Sequence, residues 1–150
     1  MNNDIKLGLR MEHRLYKILK KLNPNTVWNS KVNPYSTFDY TNGDWVYELK
    51  SRRYAKERFD KEGHMCEPEK FKHLKLNPHL KGKIFLMYHN GLWVYDVSKD
   101  TELKGIQERV GGRMDRGRDE IKNQSFIHKD YLKLVSRNIC VPEEGCLIGD

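Results

Sequence analysis

The stretch Phe38-Asp39-Tyr40-Thr41-Asn42-Gly43-Asp44-Trp45-Val46-Tyr47-Glu48-Leu49-Lys50 decides how the chain is read. Asn-Gly is a favoured pair for a two-residue hairpin loop, because both central positions of such a turn take positive φ. With Asn42 and Gly43 as the loop, Thr41 faces Asp44 and Asp39 faces Val46, and side chains opposite one another share a sheet face. Asp39 then lies on one face with Val46, Glu48 and Lys50, and Asp39 and Glu48 are diagonal neighbours about 7 to 8 Å apart at Cα. Two carboxylates so placed suit a hard divalent cation such as Mg²⁺, which keeps several waters and takes further ligands from substrate phosphate. Lys50 adds a cation beside Glu48. The pattern suits phosphodiester hydrolysis.

Working outward, residues 4–22 carry apolar side chains at three- and four-residue spacing (Ile5, Leu9, Leu15, Ile18, Leu19, Leu22), which predicts a helix with Asp4 as N-cap and Asn23-Pro24 as its stop. Glu12 falls on that stripe, and an inward carboxylate must be paired, hydrogen-bonded or bound to metal. Residues 26–31 read as a first strand, 36–41 and 44–51 as the hairpin, and the polar segment 52–66 as a mobile loop. Glu67-Pro68 opens a short helix that runs to Leu76. Residues 83–89 and 92–97 predict a second hairpin around Asn90-Gly91, whose Ile84-Phe85-Leu86-Met87 run is apolar enough to be covered on both faces. Residues 101–110 and 124–127 read as two more strands, 129–135 as a short helix, and 138–150 as a loose tail on a single domain spanning 1–137.

Composition points to a polyanionic partner. The chain has 28 basic and 21 acidic residues, a formal net charge of +7 and a pI near 9.3, and a basic surface attracts nucleic acid over a wide range of sequences. Most of the excess follows the hairpin: from Lys50 to Lys83 there are 11 basic and 5 acidic residues, a net +6. Arg52, Arg53, Lys56 and Arg58, then Lys72 on the following helix beside Lys70 and Lys75, are candidate phosphate contacts. Arg113, Arg116 and Arg118, set among glycines, form a second candidate, with Asp115 and Asp119 as the neutralising alternative. Cys66, Cys140 and Cys146 lack the paired spacing of a zinc site, and His64-Met65-Cys66 lacks a second pair of ligands. With no basic-then-apolar leader and no long apolar run, an intracellular, cytoplasmic protein without membrane attachment is expected. The competing expectation is a basic module that binds nucleic acid without cutting it.

An inward Glu on the first helix, an Asp on the second strand and a Glu-x-Lys on the third resemble the PD-(D/E)XK nuclease superfamily. Gly8-Leu9-Arg10-Met11-Glu12 is similar to the Gly-x-x-x-Glu helix opening of archaeal-type Holliday junction resolvases and related phage and large-virus nucleases, and the similarity runs to about Val97. The resemblance implies an α/β, restriction-endonuclease-like core: a mixed central sheet flanked by helices in αβββαβ order, here with an extra C-terminal hairpin. It further implies an endonuclease acting on DNA with Mg²⁺, or Mn²⁺ in its place. Asp39 and Glu48 would be the metal ligands, the Leu49 carbonyl would complete the shell, Lys50 would be the catalytic lysine, and Glu12 an accessory ligand or acceptor for a metal-bound water. A junction resolvase would also be a homodimer cutting two strands in step. The chain departs from the pattern at Phe38, where many members have proline, while Ser51-Arg52-Arg53 is similar to members that continue with Ser or Thr and basic residues.

Overall fold

A computed structural model describes residues 3–111 and 122–143. Helix α1 (Asn3–Leu22) already includes Asp4, so that residue is not the N-cap. Its buried residues are Leu7, Met11 and Leu15, spaced by four, whereas Ile5, Leu9 and Leu22 of the expected stripe are exposed. Glu12 therefore flanks the inward face beside Met11. Among the described residues no helix is long and apolar enough to cross a membrane.

The strands are β1 (Val27–Trp28), β2 (Tyr40–Asn42), β3 (Trp45–Ser51), β4 (His64–Cys66), β5 (Lys81–Tyr88), β6 (Gly91–Asp96), β7 (Ile106–Gly111), β8 (Lys122–Ile127) and β9 (Lys133–Ser136). Three further helices, α2 (Asn29–Val32), α3 (Glu57–Asp60) and α4 (Pro68–Leu76), lie between them. A six-stranded sheet has the order β1-β2-β3-β5-β6-β9, and a three-stranded sheet the order β4-β8-β7. The large sheet is mixed: β3 and β5 run parallel, joined by a crossover that contains α4, and its other pairs are antiparallel. The architecture is thus α/β, and β7 pairs with β8 as an antiparallel hairpin near the C-terminus.

Side-chain alternation divides the core. On β5, Ile84, Leu86 and Tyr88 point toward α4 and the small sheet, where Phe71, Leu74, Cys66 and Ile127 meet them. Phe85 and Met87 point the other way, onto Leu7, Met11 and Leu15 of α1. A strand covered on both faces needs this unbroken apolar run. The same alternation sets the direction of β3: Val46 belongs to the α4 side and Leu49 to the α1 side, so Glu48 and Lys50 face α4.

Several expectations are corrected by tertiary contacts. The strand expected over 26–31 stops at Trp28, because the amides of Asn29 and Ser30 turn back to the Asp39 carbonyl (2.7 and 3.4 Å) and α2 begins. The expected mobile loop, 52–66, contains α3 and β4, and β4 pairs with the distant β8. The helix expected over 129–135 is a 3-10 turn (Lys129–Tyr131) followed by β9, whose Leu134 pairs with Trp93 of β6. Residues 138–143 are anchored rather than loose: Val141 is fully buried and its amide donates to the Tyr88 carbonyl at 2.9 Å, while Arg14 donates to the Cys140 carbonyl at 2.8 Å. Arg113, Arg116, Arg118, Cys146 and the rest of 144–150 lie outside the described residues.

Both hairpin loops are displaced by one residue from the expected Asn-Gly centre. In the first, Asn42 pairs with Trp45, which leaves Gly43-Asp44 as the loop. Gly43 has φ 59° and Asp44 is not in the positive region, the pattern of a type II′ turn with glycine at its first central position. In the second, Gly91 pairs with Tyr88 and the loop is His89-Asn90.

Candidate functional site

The displaced loop moves Asp39 from opposite Val46 to opposite Glu48, since Tyr40 pairs with Tyr47 and Thr41 with Val46. A slip of two positions along the partner strand preserves which face each side chain takes. Asp39, Glu48 and Lys50 therefore converge as expected, at closer range than the diagonal arrangement. Beyond Tyr40 the strands part, and β3 from Glu48 onward pairs with β5 alone. Into this opening the Leu49 amide donates to Asp39 Oδ2 at 2.9 Å, and the Asp39 amide donates to Glu48 Oε1 at 3.2 Å.

Glu48 is 5% exposed, and two ammonium groups approach its Oε2: Lys50 Nζ at 3.5 Å and Lys70 Nζ at 3.3 Å. Lys50 also forms a close ion pair with Glu67, the residue before α4. Lys70 donates to the Thr37 carbonyl and lies over the Phe38 ring, 5.5 Å from its centroid. Glu12 sits on the α1 side. Its Oε1 accepts from Trp28 Nε1 at 3.1 Å and from the Ser30 hydroxyl, while its main-chain carbonyl accepts from the Tyr40 hydroxyl at 2.6 Å. The Trp28 ring stacks on His13 at 5.5 Å between centroids, which fixes the indole donor.

The electrostatics follow from this packing. Burial, then the charges of Glu48 and Glu12, push the Asp39 carboxyl up to about 8, against the weaker help of the Leu49 amide and Lys50. Without a cation, then, Asp39 holds its proton to higher pH than an ordinary carboxyl. Glu67 goes the other way: burial opposes its charge, but Lys50 outweighs it and holds the carboxyl down at about 2. Lys50 is raised above its ordinary value, because Glu67, Cys66 and Glu48 outweigh its desolvation. Burial pushes the Cys66 thiol up to about 12, so it stays protonated. Among the described residues no three His, Cys, Asp or Glu side chains form a ready-made metal cage. A cation here would rest on two carboxylates and on main-chain or water oxygens.

The proposed phosphate contacts separate into two groups. Arg53 and Lys72 are exposed, and Arg58 stacks on the Tyr54 ring with its guanidinium 4.0 Å from the centroid. Arg52 is half-buried and donates to the Ser51 carbonyl at 3.1 Å, and Lys56 is tied to Asp60 at 2.7 Å and lies over Trp93. His64 is fully buried, with Nδ1 2.6 Å from the Tyr88 hydroxyl and Nε2 2.8 Å from Asp60, so both ring nitrogens have partners other than a soft metal. Sequence reading missed Glu67, the support of Glu12 by Trp28 and Ser30, and the pairing of Lys70 with Glu48. A lone Glu before a proline signals only a helix start, and nothing in periodicity links it to a lysine 17 residues earlier. Comparison with protein-family models, curated proteins and solved structures finds no match to this chain.

Proposed function

We propose that this chain is a divalent-metal-dependent nuclease that hydrolyses phosphodiester bonds in DNA. The observation that carries the reading is the pairing of the half-buried Asp39 with the buried Glu48 at the mouth where β2 and β3 part, beside a lysine held by its own counter-charge. A carboxyl pushed up to about 8 by burial and like charge is poorly suited to a purely structural role, and a hard cation removes that conflict. Further support comes from the order of elements: a helix, three antiparallel strands, and a helical crossover to a strand parallel to the third agree with a restriction-endonuclease-like core.

The donor set is all oxygen, which fits Mg²⁺ or Mn²⁺. Asp39 and Glu48 would hold the ion, with the Leu49 carbonyl as a third donor, because a strand residue sends its N–H and C=O to the same edge and the Leu49 N–H already points to Asp39. When bound, the ion supplies charge neutralisation at the scissile phosphate and a more acidic water. Lys50, kept as an ammonium by Glu67, orients the attacking water or stabilises the developing oxyanion. Glu12 accepts a hydrogen bond from water at the α1 side of the cleft.

Two expected results follow from the charges. In the metal-free protein the folded-state pKa of Asp39 lies above that of the unfolded chain, so the fold binds a proton the unfolded chain gives up, and stability falls as pH rises from about 4 to 8. Melting curves should therefore show Mg²⁺ raising Tm more at pH 8 than at pH 5, with Asp39→Asn removing the difference. Equal Mg²⁺ shifts at both pH values would count against a cation at Asp39. Separately, Glu12→Gln keeps an acceptor for Trp28 and Ser30 and should change stability by less than about 1 kcal/mol. It should nevertheless raise the Mg²⁺ concentration needed for half-maximal cleavage. A lowered Tm with unchanged metal dependence would make Glu12 a structural residue.

The direct test is incubation with supercoiled plasmid, linear duplex, single-stranded DNA, RNA and a four-way junction in Mg²⁺, Mn²⁺ or EDTA. DNA cut with either metal and intact in EDTA is the expected result, and symmetric paired cuts in the junction by a homodimer would identify a resolvase. Metal-independent binding with no cleavage of any substrate would replace this reading with that of a non-catalytic basic module.

A further inference from the structure

Lys70 stands against a local rule. It occupies the first turn of α4, two residues after Pro68, where the helix dipole favours negative charge and disfavours an ammonium. Its side chain is only 14% exposed and leans across the Phe38 ring, so the position is not a solvated surface lysine. What holds it there is Glu48, at 3.3 Å, together with the Thr37 carbonyl. Lys50 shares the same carboxylate oxygen but has Glu67 as a second partner. Among the described residues Lys70 pairs with no carboxylate except Glu48.

We propose that Lys70 is a resident counter-ion of the cation site, displaced by the incoming divalent ion onto the phosphate backbone of the substrate. The inference rests on Glu48 being a ligand, as proposed above. Once a cation takes Glu48, Lys50 keeps its close pair with Glu67, whereas Lys70 keeps the Thr37 carbonyl and only the longer-range attraction of Glu67, beside a second positive charge. Like charges at such range repel strongly in a half-buried site. The nearest relief is a phosphate oxygen, and an ammonium on a flexible four-carbon stem reaches one without movement of α4. Cation and nucleic acid then bind with positive coupling: each removes the cost that Lys70 imposes on the other, by the same factor in both directions. Lys70 would thereby join the substrate-binding groups next to the scissile bond.

The experiment measures Mn²⁺ uptake by electron paramagnetic resonance, with and without a cleavage-resistant phosphorothioate DNA duplex, for the wild-type protein, Lys70→Gln and Lys70→Arg. In wild-type protein the duplex should tighten Mn²⁺ binding by at least about tenfold, within the usual span of coupling between sites. Lys70→Gln, which removes the competing charge, should bind Mn²⁺ severalfold more tightly than wild type without DNA and lose most of the coupling. Lys70→Arg keeps the charge and should keep the coupling, which separates a charge effect from a packing defect. Equal or weaker Mn²⁺ binding by Lys70→Gln in the absence of DNA would overturn the role of Lys70 and leave the cation site standing. No Mn²⁺ uptake by any of the three proteins, with or without duplex, would overturn the cation site itself.

Discussion

An Asp39→Asn protein is expected to cleave DNA at least about a hundredfold more slowly than wild type, the scale of losing one electrostatic group at a reacting phosphate. The substitution is isosteric, and the amide oxygen can still accept from the Leu49 N–H. The fold should survive and even gain, because the metal-free protein no longer has to bury an ionisable carboxyl next to Glu48. Loss of activity with equal or higher Tm at pH 8 is the signature, and it separates a chemical role from simple unfolding. Glu48→Gln should show a comparable rate loss without the same gain, since it also removes the counter-charge of Lys50 and Lys70. Single-turnover rates beside melting curves decide the matter. Wild-type turnover in Asp39→Asn would exclude this carboxylate from the chemistry.

The largest stability effect is expected at Val141, in the core on the α1 side of the sheet. Its side chain is fully buried against the α1 core with Met11, Leu15 and Met87, and its backbone bonds to Tyr88 and His89. Val141→Asp places a charge there without a designed partner and should cost about 3 to 5 kcal/mol. For a chain of this size that corresponds to a Tm lower by on the order of 10 °C. Val141→Ala loses only two methyl groups and should cost about 1 to 2 kcal/mol. If Val141→Asp melts with the wild-type protein, the segment does not pack on the sheet in solution.

What was legible in the sequence follows the reach of each signal. The apolar run at Ile84 to Met87 announced a central strand, because only a strand covered on both faces can use it. Asn23-Pro24 marked the end of α1 and Leu15 and Leu19 of the expected stripe do pack inward, yet Ile5 and Leu9 are as apolar as Leu7 and Met11, so hydropathy alone misplaced the inward face in the first half of the helix. The common face of Asp39, Glu48 and Lys50 was readable even though the loop was misplaced, since a two-position slip along the partner strand leaves the faces unchanged. By contrast, β4 pairs with β8 across some sixty residues, and Glu12 depends on Trp28 and Ser30, 16 and 18 residues away. Contacts at such separations are set by how the sheet closes, and no local period records them.

The brevity of β1 carries a consequence for how the site behaves in time. This edge strand is two residues long and pairs only with β2, whereas β5 lies between β3 and β6. Backbone amides at such an edge exchange with solvent through local openings that cost little, while those of a central strand wait for openings close to global unfolding. Deuterium should therefore enter residues 27–30 much sooner than residues 84–87. Each opening of that edge frees Trp28 and Ser30 from the Glu12 carboxylate while β3 keeps its pairing with β5. The same opening releases the Asp39 carbonyl from Asn29 and Ser30, so Glu12 and Asp39 keep a faster clock than Glu48 on β3.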